Sequence, residues 1–182
     1  KYQEKKPHKD RGYEMAWTQR QGVLRQIKAS EADAQLYGRL ASAILFANAS
    51  FRADPAILIS NDRQQAGLWG YAISGDLPIV LLKIESQENL QLVKQMIQAH
   101  AYWRLKGLVA DLVIWNETHD GYRQAFQNDI QALIPAELNG TKGGICIRSS
   151  DQISNEDRIL FAYVARVIIA DVVGNLADLV YE

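Results

Sequence analysis

The sequence is short of several things, and each shortage excludes a class of protein. A single cysteine, Cys146, leaves no internal disulfide framework and fits a reducing compartment. With 4 prolines and 12 glycines in 182 residues, the chain is neither collagen-like nor a low-complexity linker. Neither sign of charge dominates: 20 Lys+Arg against 21 Asp+Glu give a net charge of -1, so no global field draws the chain to nucleic acid or anionic lipid. There is no run of about 18 uninterrupted apolar residues of the kind a membrane span needs, and the N-terminus has no charged-then-apolar signal pattern. What remains is ordinary globular composition, 48% hydrophobic and 23% charged, in a chain long enough for about one compact unit.

The chain opens at Lys1 without an initiator Met. It closes at Val180-Tyr181-Glu182, just as Leu176 and Leu179 begin a new apolar repeat. The expectation is therefore a fragment of a larger polypeptide. Residues 1–14 read as a solvated tail or linker, because Lys1, Lys5, Lys6, Lys9 and Arg11 are mixed with Glu4 and Asp10. Residues 15–182 read as one α/β domain in three stretches.

The first, 15–47, is a helical pair. Tyr13, Ala16, Trp17, Val23, Leu24 and Ile27 give patchy helical spacing. Ser30 then offers a cap with Asp33 three residues on, followed by Leu36, Tyr37, Leu40, Ala43, Ile44 and Leu45. The second, 48–77, is an irregular connection rich in turn formers, with a short helix near Ala56–Leu58. The third, 78–182, is a βαβαβα unit. Pro78–Ile84, Leu108–Trp115 and Ile145–Ile147 are apolar runs without alternation, which suits strands covered on both faces. Helices are predicted over Gln87–Lys106, Gly121–Ile134 and Asn155–Ala170. The fold class is thus α/β: a helical pair, then a small three-layer unit with a mainly parallel sheet of about three strands.

Two helices carry further expectations. His100 and Arg104 project onto the apolar arc of Gln87–Lys106, so Arg104 requires a partner, for which Asp111 and Asp129 are the candidates. Either these form a buried ion pair or they line a polar cleft. From Ile159 to Ala170 only Arg166 is charged, and a helix apolar all round needs cover on every side. A face turned toward an absent domain would account for it.

The chemistry-bearing motifs are few. Leu68-Trp-Gly-Tyr-Ala-Ile-Ser-Gly-Asp-Leu-Pro78 sets Trp69 and Tyr71 among small residues, with Asp76 close by. Rings beside a carboxylate suit a sugar face; the same rings equally serve to pack a sheet edge. Asn116-Glu-Thr-His-Asp-Gly121 leaves the carboxyl end of the middle strand, where open parallel sheets hold ligands. Glu117, His119 and Asp120 suit acid–base or metal work, or simply a solvated loop. No second His or Cys is spaced to complete a metal site. Thr141-Lys-Gly-Gly144 enters a strand instead of opening a helix, which makes it a poor phosphate loop. Cys146 sits in a buried-looking run and reads as a small hydrophobe. No catalytic residue, metal or cofactor is nominated.

Several stretches also resemble a known family. Leu68-Trp-Gly-Tyr-Ala-Ile-Ser-Gly-Asp-Leu-Pro-Ile-Val-Leu82 is similar to the LWGYGISGDLPIVL stretch of bacterial cyclic β-1,2-glucan synthases. Ala99-His-Ala-Tyr-Trp-Arg-Leu-Lys-Gly107 resembles their AHxYWRLKGL, and Asp111-Leu-Val-Ile-Trp-Asn-Glu117 their DLVIxNE. Gly143–Arg148, Ser154–Arg158 and the Arg39–Asn48 stretch resemble GGIFVR, SEEDR and RLAS…xxAN. The likeness runs in order from about residue 15, with Ala72 where Gly is usual and Cys146 where an aromatic is usual.

The resemblance implies a very large inner-membrane protein whose C-terminal part is like cellobiose-phosphorylase-type enzymes: a β-sandwich, a linker region and a helical barrel. A segment between sandwich and barrel is implied for this chain, on the cytoplasmic side, with no direct membrane contact of its own. In that family a glycosyltransferase region builds the polymer from UDP-glucose, and the phosphorylase-like part shortens it. The catalytic acid and phosphate-binding residues lie in the barrel, and no position here matches them.

The implied role is a non-catalytic scaffold beside the barrel that touches β-1,2-glucan through Trp69, Tyr71, Asp76, Arg104, Asn116 and Glu117. The alternative is a purely structural interdomain module whose partners are neighbouring domains of the same polypeptide. An autonomous enzyme using Glu117 and His119 is a third reading. No nucleic-acid partner is expected.

Overall fold

The computed structural model describes residues 29–46, 51–59, 61, 66–71, 73–119, 121–170 and 176–181. The expected tail and the first helix of the pair lie outside them.

Helix α1, Glu31–Phe46, begins where the capping residues predict. The Asp33 amide donates to Ser30 Oγ at 3.1 Å and the Ser30 amide donates to Asp33 Oδ2 at 2.9 Å, which satisfies two end groups reciprocally. Its Leu36, Tyr37, Leu40, Ala43 and Ile44 are buried, so most of the helical spacing read from the sequence is the face that packs, whereas Leu45 falls off that face and is exposed. Two short helices follow, α2 (Pro55–Ile59) and α3 (Ala66–Trp69).

Strand β1 (Ile79–Ile84) then leads through a 3-10 turn into α4 (Leu90–Leu105). Ser86 caps that turn by accepting from the Glu88 amide, and Gly107 stops the helix with φ +89°. Strand β2 (Asp111–Asn116), α5 (Arg123–Leu133) and β3 (Ile145–Ser149) complete the run of expected elements. Residues 108–110, read as strand, are a loop that carries the chain back to the sheet.

The predicted helix Asn155–Ala170 is corrected. Helix α6 covers Asn155–Val164, capped by Ser154 Oγ accepting from the Asp157 amide at 3.2 Å. At Ala165 the backbone swings to φ -64° and ψ 128°, and Ala165–Ala170 is a fourth strand, β4. Its Val167, Ile168 and Ile169 are β-branched and suit a pleated surface better than a helix. A segment greasy on every side is therefore explained without an absent partner. It is half helix, with Leu160, Phe161 and Ala162 buried, and half strand. Helix α7, Leu176–Tyr181, ends the described chain.

All pairings are parallel and the strand order is β3-β2-β1-β4. The chain steps outward from β1 to β3, then returns across the sheet to place β4 on the other side of β1. Right-handed crossovers in opposite directions put their helices on opposite faces. Accordingly α1, α4, α5 and α7 cover the face bearing Val80, Leu82, Ile84, Leu112, Ile114 and Ile147. Helix α6 together with Leu68, Tyr71 and Ile73 covers the face bearing Ile79, Leu81, Val113 and Trp115. Cover on both sides is why β1 and β2 need near-continuous apolar residues. A register shift where Ile79 pairs Ala165 and Val80 pairs Val167 leaves Arg166 as the extra residue of a bulge.

Candidate functional site

The strand order reverses around β1, and in open parallel sheets ligands sit outside the carboxyl ends at such a switch. On the α6 face the penultimate row there is unlike the rest of the sheet. Register places Arg148, Trp115, Lys83 and Ala170 side by side across all four strands. Trp115 is buried and sets its ring edge-on to Phe161 at 5.4 Å. Lys83 Nζ lies 5.3 Å from the indole centroid and Arg158 Cζ 5.8 Å, so two cations face one ring.

Arg158, from the first turn of α6, is held by donating to the Ser150 carbonyl at 2.6 Å and the Ile153 carbonyl at 3.4 Å. Its Nη1 lies 3.6 Å from Glu117 Oε1. Burial holds the Glu117 carboxyl above the usual carboxylate range, while Lys83 and Arg158 pull it back down. The neighbouring Glu85 adds its negative charge and a side-chain hydrogen bond. The result is a compact set of donors and acceptors with balanced charge, suited to holding a neutral polar ligand. On β3, burial pushes the Cys146 thiol up to about 11, which keeps it protonated. Among the described residues no group of three His, Cys, Asp or Glu is placed to hold a metal ion.

The six residues nominated for sugar contact are spread over the molecule. Asp76 lies ahead of β1, at the amino edge of the sheet, and pairs with Lys142 at 3.2 Å. Arg104 is also at that end and is exposed, not buried. Topology gives the reason, since α4 descends from the carboxyl edge and its last turn ends by the amino edge, where a guanidinium reaches water. Asp129 is exposed, and Asp111 turns out to serve the backbone. Asn116 and Glu117 are at the opposite edge, about six strand residues or roughly 20 Å away.

Asn116 is fully buried and occupied. Its amide donates to the Arg123 carbonyl at 3.0 Å and to Gln127 Oε1 at 3.1 Å, and its Oδ1 accepts from the Thr118 amide and hydroxyl. Tyr71 is half-buried, edge-on to Phe161 at 5.3 Å, and donates its hydroxyl to Asp157. Its carbonyl accepts from Arg148 at 2.7 Å, tying the aromatic segment to β3. Trp69 differs from all of these. It is 65% exposed, with its indole N–H fixed on the Ser74 carbonyl at 3.2 Å, so the ring is oriented and open. His119 is exposed and Asp120 lies outside the described residues.

Sequence reading missed Lys83, Glu85, Trp115 and Arg158. The available signal was Lys83, the one charge in the apolar run Ile79–Ile84.

At the amino edge a second buried polar group fixes the loop before β3. His100 Nε2 lies 3.0 Å from both the Ala110 and Gly143 carbonyls, so this nitrogen carries the proton. Nδ1 is buried without a hydrogen-bond partner among the described residues. Protonating it places a new N–H where nothing accepts. Burial accordingly lowers the His100 pKa, the two carbonyls oppose this, and the Arg104 charge lowers it further.

A lowered histidine pKa means the fold prefers the neutral ring. Stability is therefore kept above the ordinary histidine range near 6.5 and lost as pH falls through it toward the folded value. Thermal melts between pH 8 and pH 5.5 should show wild type losing several degrees relative to His100→Gln, whose amide donates without titrating. Parallel curves for the two proteins would refute this.

No protein-family model matches the chain. It is similar to the cyclic beta-(1,2)-glucan synthase NdvB of Rhizobium meliloti (strain 1021), 30% identical over 118 residues. The match takes in 65% of this chain and about 4% of that protein's length. The resemblance read from the sequence motifs is thus borne out by a curated relative. No helix among the described residues is long and apolar enough to cross a membrane.

Proposed function

We propose that this chain is a non-catalytic α/β domain of a large glucan-synthase-type polypeptide, and that it contacts β-1,2-glucan through Trp69 while holding neighbouring parts in place. A relative that is many times longer supports the domain reading. The observation that carries the glucan contact is the exposed and oriented Trp69 ring. An indole normally buries its large apolar area. One held open by a hydrogen bond presents a flat face on which the C–H surface of a sugar ring stacks. The carboxyl-edge set of Lys83, Glu85 and Glu117 adds hydroxyl partners on another part of the surface.

The test is a titration with linear β-1,2-gluco-oligosaccharides, followed by tryptophan fluorescence. Trp69→Ala should weaken binding about tenfold or more, equivalent to about 1.4 kcal/mol. Its melting temperature should stay near wild type because the side chain is largely in water. Equal affinity in the folded variant would remove Trp69 from the site.

The structural alternative has its own observation: Phe46 is 81% exposed and Ile59 85%, both large apolar side chains. A chain that ignores sugar at millimolar concentration would be read as an interdomain module using such residues.

A further inference from the structure

A cavity of about 400 Å³ lies between α1, α4 and α7, on the sheet face opposite α6. That volume falls within the ~300–1,000 Å³ of small-molecule sites. None of its lining residues was nominated from the sequence. We propose that this cavity binds one or two neutral hydroxylated rings of pyranose size, as a glucan-contacting site separate from Trp69. The choice of glucose as the ring rests on the function proposed above; the ligand class is argued from the lining itself.

Its walls combine Asp33, Gln35 and Gln95 with the ring of Tyr181 and the apolar side chain of Leu36. An anion is disfavoured by the Asp33 carboxylate. A cation is disfavoured by Arg39, whose guanidinium carbon lies 5.1 Å from the Tyr181 centroid. A purely apolar ligand would strip water from two amides and a carboxylate without replacing their hydrogen bonds. A ring carrying hydroxyls on its edge and C–H groups on its face meets each of these constraints.

The hydrogen-bonding capacity is suitable as well. Gln95 uses its Oε1 to accept from the Leu176 amide at 3.3 Å, which fixes the side chain while its two N–H donors belong to the other end of the amide. Asp33 Oδ2 accepts from the Ser30 amide, and a carboxylate has about four lone-pair sites in all. Tyr181 is half-exposed, so its ring is reachable. Three helices thus hold donors, acceptors and a ring around one hollow, and the capping box of α1 and the docking of α7 set their positions.

The experiment uses the 182-residue chain labelled with nitrogen-15 and titrated with the β-1,2-linked glucose disaccharide. The side-chain amides of Gln35 and Gln95 should shift saturably. Gln35→Ala and Tyr181→Ala should each raise the dissociation constant about tenfold with an unchanged melting temperature. Gln95 is left intact because it also holds α7. Trp69→Ala should leave the cavity shifts in place.

Shifts confined to Trp69 and its neighbours would overturn this proposal and leave the Trp69 contact standing. Cavity shifts without a Trp69 response would support the cavity and remove the platform. No shift at either place overturns both. Cavity shifts whose dissociation constant ignores both variants would also overturn the proposal.

Discussion

Trp103→Ala is expected to cost about 4 kcal/mol of unfolding free energy, a large share of the ~5–15 kcal/mol that holds a domain together. Trp103 is 1% exposed on α4, and its indole N–H donates to the Tyr37 carbonyl of α1 at 2.7 Å. Beside that bond the Tyr37 and Tyr102 rings meet at 5.9 Å, and the Tyr37 hydroxyl donates to Gln98. Burial, then the charge of Asp33, pushes the Tyr37 hydroxyl far above the ordinary tyrosine range, so it serves as a neutral donor throughout the working pH.

One side chain therefore fills the seam between α1 and the α/β unit and also supplies a hydrogen bond across it. Truncation loses the transfer free energy of a large ring and opens a cavity that rigid helices cannot close. Trp103→Phe keeps most of the volume, loses the bond and should cost about half as much. Urea denaturation of the three proteins reads both numbers. A loss under about 1 kcal/mol for the alanine variant would mean that α1 is only loosely attached. The expected α/β unit would then stand without it.

What could be read from the sequence follows from how local each signal is. The α1 start needs only Ser30 and Asp33, three residues apart, and both cap bonds form. The first three strands are visible because a run such as Ile-Val-Leu-Leu has to be covered on both faces, and it is. β4 was hidden because α6 passes into it at Ala165 with no Gly, Pro or polar turn between them. An apolar run after a helix looks like more helix when no breaker intervenes.

Arg104 was misjudged for a different reason. A helical projection treats every turn as equally covered, whereas the last turn of α4 lies at the sheet's edge and is open. The row Arg148–Trp115–Lys83 is non-local. Its members are far apart in the chain and become neighbours only through the register of parallel strands. The α1/α4/α7 cavity depends in the same way on where α7 docks. The residues of both candidate sites become neighbours mostly through such pairings, so the sequence alone shows them without showing their company.

The second large effect is expected from Gly144→Ala, at about 3 kcal/mol. A methyl at Gly144 would run into the Leu138 carbonyl oxygen and the Thr141 hydroxyl. That carbonyl is already the acceptor for the Ile145 amide at 2.9 Å and closes the loop that delivers the chain into β3. The obstacle is backbone, which cannot rotate aside.

Gly143 should be more forgiving, at about 1–2 kcal/mol. It has φ +73°, a conformation side chains resist, and its methyl would approach the Val109 side chain at 2.5 Å, a partly exposed side chain that can shift toward solvent where a backbone carbonyl cannot. Its amide donates to Asp111 Oδ1 at 2.7 Å while its carbonyl faces His100, so the loop is clamped from two sides. Burial raises the Asp111 pKa against the lowering effect of that amide and of Lys142, so ionising this carboxyl costs the fold something as pH rises.

The glycines of Thr141-Lys-Gly-Gly144 thus answer to steric demand and a buried carboxylate, not to phosphate. Chemical denaturation should rank Gly144→Ala as costlier than Gly143→Ala. The reverse order would mean that conformation at Gly143, and not the close approach of Leu138, sets the sequence of this loop.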